Sequence, residues 1–167
     1  MADDALFCGA CGKKQVTLYQ QTFRREKMSE EEFINRINAW FAQYPKVANV
    51  KGEFLLKHAS GLLVNKYVLD AFAIEYELLS GNNTNQYAVV QLSKFGFVRK
   101  ETNDLLAAWK QKNPGAIVVA RDGGVNQRGD TGSLMLNGFG ANNNTQLYVL
   151  FKFNRKLGPG LPSPSNG

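Results

Sequence analysis

The amino-acid sequence predicts an α+β fold in which a mostly antiparallel sheet is packed by two amphipathic helices. Two segments place apolar residues at the three- and four-residue spacing of a helix, and several others alternate apolar and polar residues as strands do. The order of strand, helix and strands occurs twice along the chain. We therefore expect two degenerate β-α-β-β halves, with one helix covering the sheet in each half.

The length of 167 residues suits one domain with a small N-terminal appendage. Hydrophobic residues make up 44% and charged residues 20%, which is ordinary for a globular protein with a buried core. We expect residues 15–156 to form the α+β domain and residues 1–14 to be a Cys-x-x-Cys knuckle or a flexible N-terminus. Residues 157–167 are rich in Pro, Gly and Ser, so this tail is expected to be disordered.

The first helix has the clearest boundaries in the sequence. Ser29 is followed three residues later by Glu32, a capping box that predicts the helix start. The apolar residues that follow share one stripe: Phe33, Ile34, Ile37, Trp40, Phe41 and Tyr44. Pro45 predicts the end of the helix. A strand is expected before the helix, between Val16 and Arg24.

Strands are expected after the first helix. The segment that begins at Ala48 alternates and places His58 on its apolar face, so we expect His58 to be a hydrogen-bonded core residue. Between residues 63 and 78 the apolar positions change phase near Asp70 or Ala71, which predicts a bulge or a bend. Further strand is expected at residues 87–92 and 95–98.

The second helix is expected to begin near Thr102 or Asn103 as its N-cap and to carry Leu105, Leu106 and Trp109 inward. Asn113-Pro114-Gly115 predicts its end. The rest of the chain predicts a short buried strand at 116–120, a long Gly-rich polar loop at 121–132, and strands at 133–137 and 145–153.

Both helices contain Ala-Trp and are followed by a proline at the same distance, Pro45 after Trp40 and Pro114 after Trp109. This correspondence is typical of an internal duplication. Amphipathic helices often end this way without any duplication, so both interpretations remain open at this point.

Two basic segments are the candidate partner-binding sites. Residues 94–100 interleave Lys94, Arg99 and Lys100 with aromatic residues, an arrangement that can stack bases and hold phosphates. The Gly-rich loop carries Arg121 and Arg128, whose guanidinium groups could receive a phosphate or a partner's carboxylate. The net charge of +6 permits an anionic partner, although a solvated basic surface is the simpler interpretation.

The most specific chemical feature is the segment Cys8-Gly9-Ala10-Cys11. Two thiolates at this spacing can bind one metal ion, and the neighbouring lysines favour the thiolate form. The segment resembles the first half of the short N-terminal zinc ribbons of bacterial proteins, which implies zinc held by Cys8 and Cys11. No second Cys pair follows, and zinc takes four ligands. Four interpretations therefore remain open: zinc shared by two chains in a homodimer through this knuckle, ligands supplied by a partner protein, no metal, or redox chemistry.

The sequence offers little for catalysis. It has one histidine and no nucleotide-binding loop, and its acidic pairs are explained by helix capping or by a solvated strand face. We therefore expect a non-enzymatic accessory or adaptor protein that binds a macromolecular partner. Binding of nucleic acid through the basic second half and binding to an anionic membrane surface are the alternatives.

The location of the protein is predicted from three features. There is no signal peptide, and no run of about 18 apolar residues that could cross a membrane. The two cysteines are only three positions apart, a spacing more typical of a reducing compartment than of a disulfide framework. We therefore expect a cytoplasmic protein without a transmembrane segment.

Overall fold

The computed structural model describes residues 16–60, 65–81, 83–96, 98–128 and 142–155. Its elements in chain order are β1 (Tyr19–Arg24), α1 (Glu30–Gln43), β2 (Val47–Ser60), β3 (Asn65–Leu78), β4 (Asn85–Gly96), α2 (Thr102–Lys112), β5 (Ile117–Arg128) and β6 (Asn142–Asn154). The predicted α+β class is confirmed, and strands make up most of the described chain. Residues 1–14 and 157–167, the predicted knuckle and tail, lie outside the described residues.

The strands form two antiparallel sheets of three strands each, so the prediction of a single sheet is wrong. Sheet 1 has the order β1-β3-β2, and sheet 2 has the order β4-β6-β5. The side-chain amide of Asn38 in α1 donates to the carbonyl of Val89 in β4 at 3.0 Å and accepts from its N–H at 2.7 Å. Helix α1 thus occupies the free edge of β4, where a strand of sheet 1 would otherwise have to pair.

The two sheets share one pairing register, except that β2 and β3 shift by one residue after the Leu55–Ala71 pair and β5 and β6 do not. When Trp40 is matched with Trp109, β1 corresponds to β4 residue by residue. The matching pairs are Tyr19–Tyr76 with Ala88–Phe151, Phe23–Phe72 with Leu92–Leu147, Ala48–Glu77 with Ile117–Lys152, and Lys51–Glu75 with Ala120–Leu150. Each half therefore runs strand, helix, strand, strand with equivalent residues in contact.

Irregularities near the start of β2 and β5 also correspond. The register of β2 shifts between Ala48 and Lys51, where Asn49 has a positive φ of 50°. The register of β5 shifts between Val118 and Ala120. In each strand the extra residue precedes the matched pair at Lys51 or Ala120, so the two bulges bend equivalent strands at equivalent positions.

Helix α1 begins and ends as the sequence predicts. The Ser29 side chain accepts from the Glu32 N–H at 3.2 Å, and the Glu32 carboxylate accepts from the Ser29 N–H at 3.0 Å. Four residues of the predicted stripe are buried: Phe33, Ile34, Ile37 and Phe41. Tyr44 is the C-cap and is exposed, because it lies past the last turn of the helix.

The predicted phase change in β3 is confirmed. Leu55 lies opposite Ala71 while Leu56 lies opposite Leu69, which leaves Asp70 as the extra residue of a bulge. The prediction that His58 lies in the core is wrong, because its side chain is exposed and contacts the edge of the Tyr67 ring. His58 lies on the face of β2 that the alternation predicted. At His58 the strand extends beyond the core, so the side chain on that face is not buried.

Helix α2 begins at Thr102 with Glu101 as its N-cap, one residue before the predicted cap at Thr102 or Asn103. It buries Leu106 and Trp109, and Leu105 is half-buried. Residues 121–128 continue β5, so the prediction of a Gly-rich loop there is wrong. A Cβ on Gly123 would overlap the carbonyl oxygen of Gln146 in β6. This glycine therefore serves a close approach between strands and not a turn. Residues 129–141, which include the predicted strand at 133–137, lie outside the described residues.

Sheet 2 buries both of its faces. One face packs on α2 through Val90, Leu147 and Val149. The other face contributes Val89, Tyr148 and Leu150 to a core that also contains α1 and the inner face of sheet 1. The continuous apolar run at 147–151 is what a strand buried on both sides requires. No described helix is long and apolar enough to cross a membrane.

Candidate functional site

A cleft of about 420 Å³ lies between β1 and α1. Its strand side is formed by Gln21, Thr22, Phe23, Arg24 and the following Glu26, and its helix side by Phe33, Arg36, Ala39, Trp40 and Gln43. The helix residues recur every three or four positions, so they form one continuous wall along α1. We call this cleft the α1–β1 groove.

Aromatic side chains form the apolar part of the groove. The rings of Phe23 and Trp40 pack edge to face with their centroids 5.4 Å apart, and Phe23 also stacks on Phe72 at 6.2 Å. Trp40 contacts Tyr76 at 5.5 Å. Phe33 is fully buried behind them. Because these rings are held by one another and by the core, the groove is preformed and not dependent on side-chain rearrangement.

Strand β1 presents an open edge to this groove. Within the part of the chain that the structure describes, β1 pairs on one side only, with β3. Residues 15–23 contain no charged residue and no proline. Edge strands are usually protected from pairing by charges, prolines or bulges. None of these protections occurs in β1 before Arg24, and no described strand pairs with its outer edge.

The charges that line the groove are Arg24, Arg36 and Glu26. Among the described residues, the ion pairs are Arg25–Asp70 and Arg99–Glu101. The guanidinium groups of Arg24 and Arg36 therefore have no carboxylate partner in the described part of the chain. Two cations against one carboxylate favour a ligand that carries negative charge.

The closed end of the groove is the turn that joins β1 to α1. The Arg25 N–H donates to the carbonyl of Asp70 at 2.9 Å, and its guanidinium donates to the Met28 carbonyl at 3.2 Å. The same guanidinium lies 3.5 Å from the Asp70 carboxylate. These contacts tie the turn to the bulge of β3 and fix the distance between β1 and the start of α1.

A second set of contacts anchors the first turn of α1 to both sheets. The Glu30 carboxylate accepts from the Leu69 N–H and from the Tyr148 hydroxyl, each at 2.8 Å. The Tyr148 hydroxyl also lies 3.1 Å from the carbonyl oxygen of Tyr67. Burial, together with the negative charge of Glu30, raises the pKa of Tyr148 above its ordinary value. Glu30 belongs to the acidic residues of the first helical turn that helix capping explains, and its contacts with Leu69 and Tyr148 were not predicted.

The opposite face of sheet 1 carries a shallower cleft of about 350 Å³. It is lined by polar residues on three strands, including Gln20, Lys51, Glu53 and Glu75, around the small side chain of Ala73. Thr22 lines both clefts. Strand β1 is therefore the boundary between them, and a chain lying along its edge would have access to both.

The cations predicted to bind a partner lie toward one end of sheet 2. Lys94 is exposed on β4 opposite Thr145, and Arg99 and Lys100 are exposed in the connection to α2. Arg121 is exposed on β5 and donates to the Asn103 side chain at 2.6 Å. Arg128 ends β5 opposite Asn142. The structure thus brings Lys94 and Arg121 to the face of sheet 2 that also carries α2.

Acidic residues are interleaved with these cations. Glu101 pairs with Arg99 at 2.8 Å, and Glu101 and Asp104 together cap the start of α2. Asp122 follows Arg121 directly and accepts from the Gly123 N–H at 2.8 Å. The helix N-terminus is therefore already supplied with carboxylates, which reduces its attraction for a phosphate.

Comparisons with protein-family models, with curated proteins and with solved structures find no match to this chain. The zinc-ribbon relationship inferred from Cys8 and Cys11 is therefore wrong: nine residues resemble the motif, but no family model matches. Among the described residues, no group of three or more His, Cys, Asp or Glu side chains could hold a metal ion. Cys8 and Cys11 themselves lie outside the described residues, so zinc between two chains stays a prediction.

The α1–β1 groove was not predicted from the sequence. The signal that could have indicated it is the uncharged stretch at residues 15–23, which is unusual for an exposed strand. An uncharged strand indicates a possible pairing site only when the strand is known to lie at the edge of a sheet. Strand order depends on contacts between residues far apart in the chain, and the sequence pattern alone does not supply it.

Proposed function

We propose that this chain is a non-enzymatic adaptor or accessory protein that binds a segment of another protein in the α1–β1 groove. The observation that carries the proposal is the preformed aromatic groove beside an unprotected edge strand. Peptide-recognition domains use this combination, because backbone pairing supplies affinity and side-chain pockets supply specificity.

The chemistry of the groove favours a protein segment over other ligands. Phe23 and Trp40 provide apolar contact area, and Gln21, Thr22 and Gln43 provide hydrogen-bonding groups around it. Interface hot spots are rich in such aromatic anchors surrounded by polar groups. A small-molecule site would be more enclosed, whereas this cleft is open along the strand.

The proposal is tested by blocking the groove from the helix side. Ala39 is exposed and lines the groove, so Ala39→Arg places a long cation in the cleft without disturbing the core. Ala42 is also exposed on α1 but does not line the groove, so Ala42→Arg is the matched control with the same effect on helix propensity. The probe is a phage-displayed library of random dodecapeptides selected on the wild-type protein.

We expect enriched peptides to bind the wild-type protein and Ala42→Arg equally and to bind Ala39→Arg about ten-fold more weakly. The long side chain at residue 39 occupies the place of one anchor contact, which is worth about 1–2 kcal/mol and exceeds the ~0.5 kcal/mol by which one exposed cation attracts a carboxylate. Equal binding to all three proteins, or no enrichment on the wild-type protein, would contradict the proposal. Fluorescence anisotropy with labelled synthetic peptides measures the affinities.

The two alternative functions stay predictions with their own tests. Nucleic-acid binding through Lys94, Arg99, Lys100, Arg121 and Arg128 requires an oligonucleotide affinity that falls steeply with added salt. Binding to an anionic membrane surface requires co-sedimentation with vesicles that contain anionic lipid and none with neutral vesicles. The carboxylates of Glu101, Asp104 and Asp122 among these cations are why we rank both below the groove.

We also propose that the two halves arose by duplication of one β-α-β-β unit. Support comes from the shared strand order, the matching registers and the bulges at equivalent positions of β2 and β5. If two unrelated halves had converged on one topology, equivalent residues would not be expected to face each other over most of the length of the paired strands. The sequence retains Ala39-Trp40 with Ala108-Trp109 and Pro45 with Pro114 as traces.

A further inference from the structure

The edge of β4 shows how this fold disposes of an unpaired strand. Val89 directs both its N–H and its carbonyl away from β6, toward the side-chain amide of Asn38 in α1. In an antiparallel strand such groups alternate, so every second residue of β4 points its backbone groups outward. Asn38 therefore takes the place that a neighbouring strand would fill.

Because β1 and β4 pair in the same register, the direction of the backbone groups of β1 can be inferred from β4. Gln20 lies opposite Glu75 as Val89 lies opposite Leu150, so Gln20 is the equivalent of Val89. The backbone groups of Gln20, and by alternation those of Thr22 and Arg24, point away from β3. A second observation agrees with this: the N–H of Arg25 donates to β3 at Asp70, so the odd-numbered residues are the ones that face the sheet.

No described side chain does for β1 what Asn38 does for β4. Helix α1 precedes β4 in the chain and covers its edge. Among the described residues, no helix precedes β1 to cover Gln20, Thr22 and Arg24 in the same way. At the other end of the repeat, the residue of α2 that matches Asn38 is Ala107, which has no side-chain amide. Helix α2 of a second copy could therefore not cover β1 in the way that α1 covers β4.

We propose that the α1–β1 groove binds an extended, acidic segment of a partner protein as a fourth strand of sheet 1, paired to the backbone of Gln20, Thr22 and Arg24. This rests on the proposed function and specifies the conformation and chemistry of the bound segment. Alternate side chains of the added strand enter the groove beside Phe23 and Trp40, and the others lie over the outer cleft of sheet 1.

Charge and length define the segment further. Arg24, at the end of the β1 edge, and Arg36, on the helix wall, line the groove with Glu26 as the opposing charge, so the segment carries at least one carboxylate. The helix wall from Phe33 to Gln43 rises about 15 Å at 1.5 Å per residue. A strand covers that length with about five residues at 3.3 Å each. Strand β1 has six residues, which matches this length.

The first test removes one outward donor from the protein. Thr22→Pro eliminates the N–H at the centre of the edge, and proline is tolerated on an edge strand where that N–H faces away from the sheet. Thr22→Ala is the matched control, because it removes the same side chain and keeps the N–H. For peptides selected on the wild-type protein, Thr22→Ala measures what the Thr22 hydroxyl contributes, and we expect Thr22→Pro to bind about ten-fold more weakly than Thr22→Ala.

The second test leaves the protein unchanged, so it stands even if Thr22→Pro does not fold. Each backbone nitrogen of a selected peptide is N-methylated in turn, and binding to the wild-type protein is measured. Strand addition predicts losses of about ten-fold at alternate positions and small changes between them. Replacing the acidic residues of the peptide by their amides is expected to weaken binding as well, and less so in Arg36→Gln.

The outcomes separate this inference from the proposed function. Peptides that are blocked by Ala39→Arg, yet show no alternation on N-methylation and no difference between Thr22→Pro and Thr22→Ala, would leave the groove as a binding site and overturn strand addition. Peptides that ignore Ala39→Arg would overturn both. Selected peptides without acidic residues would overturn the charge preference and with it the acidic partner proposed here.

Discussion

Gly123 lies in β5 opposite Leu147 in β6, the strand that is central to sheet 2. A Cβ at this position would overlap the Gln146 carbonyl oxygen and come within 2.8 Å of the Leu147 Cα. Both obstacles are backbone atoms of a buried strand, so they cannot move aside as a flexible side chain would. Glycine at this position is therefore a packing requirement.

We expect Gly123→Ala to lower the free energy of unfolding by about 1–3 kcal/mol, the usual cost of overpacking a buried site. Gly96→Ala is the control, since Gly96 also lies in a strand and a Cβ there meets nothing within 4 Å. Urea denaturation followed by circular dichroism compares the two variants with wild type. Equal stability of Gly123→Ala and Gly96→Ala would show that β5 does not approach β6 so closely.

Single residues also explain why the candidate site was hard to anticipate. Arg24 and Arg36 are twelve positions apart in the printed sequence and belong to no motif, yet both line the groove. Glu30 is one of the acidic residues in the first turn of α1 and at the same time accepts from Leu69 and Tyr148. A local pattern reveals the first role of Glu30, and only the folded chain reveals the second.

Helix α1 shows how much of an element the sequence can specify. Its capping box and its apolar stripe are local signals, and both predicted the helix correctly. Asn38 gave no such signal, because one polar residue on an amphipathic helix is ordinary. Its two hydrogen bonds to Val89 nevertheless connect the halves and cover the edge of β4.

We expect Asn38→Ala to lower the free energy of unfolding by about 1–3 kcal/mol, because the backbone groups of Val89 lose their partners in a partly buried place. Asn35→Ala is the control, since Asn35 is exposed on the same helix and the gain in helix propensity is equal. Thermal unfolding of the two variants measures the difference. A stability of Asn38→Ala as high as that of Asn35→Ala would argue against the edge-covering role.

Strand β5 shows the opposite case for an element. Its sequence from Arg121 to Arg128 contains two glycines and several polar residues, which is the composition of a loop. Pairing with β6 overrides that composition, because alternate residues of β5 gain backbone hydrogen bonds from a strand that is already fixed in the core.

At the scale of the whole molecule, one core joins the two halves. Ile37 and Phe41 of α1, Phe72 of sheet 1 and Leu150 of sheet 2 belong to a single buried cluster. Neither half can bury these residues alone. The described chain is therefore expected to unfold as one cooperative unit, although its topology consists of two similar halves.

Tyr148 provides a pH-dependent test of this connection. Its pKa is raised in the folded protein, chiefly by burial and then by Glu30, so the unfolded chain loses the phenolic proton first. The resulting stability is fully present below the ordinary tyrosine pKa of about 10 and is lost as the pH rises above it, by up to about 1.4 kcal/mol per pH unit.

We expect Tyr148→Phe to be less stable than wild type at pH 8, because Glu30 and the Tyr67 carbonyl lose a hydrogen-bond donor. Between about pH 10 and 11 the wild-type stability should fall more steeply than that of the variant, so the difference narrows. Urea midpoints across this range measure it, and parallel pH profiles for the two proteins would rule out the buried hydroxyl as the cause.

The sequence by itself determined the α+β class, both helices with their ends, the bulge at Asp70 and the repeated order of elements. These features depend on residues close together in the chain, where capping, periodicity and turn chemistry act directly. The tertiary structure decided that the strands form two sheets, that β5 is a strand, that sheet 2 is buried on both faces, and that β1 keeps an open edge beside α1. Each of these features depends on which segments, far apart in the sequence, lie next to each other in the fold. The burial of one core shared by both sheets decides which segments those are.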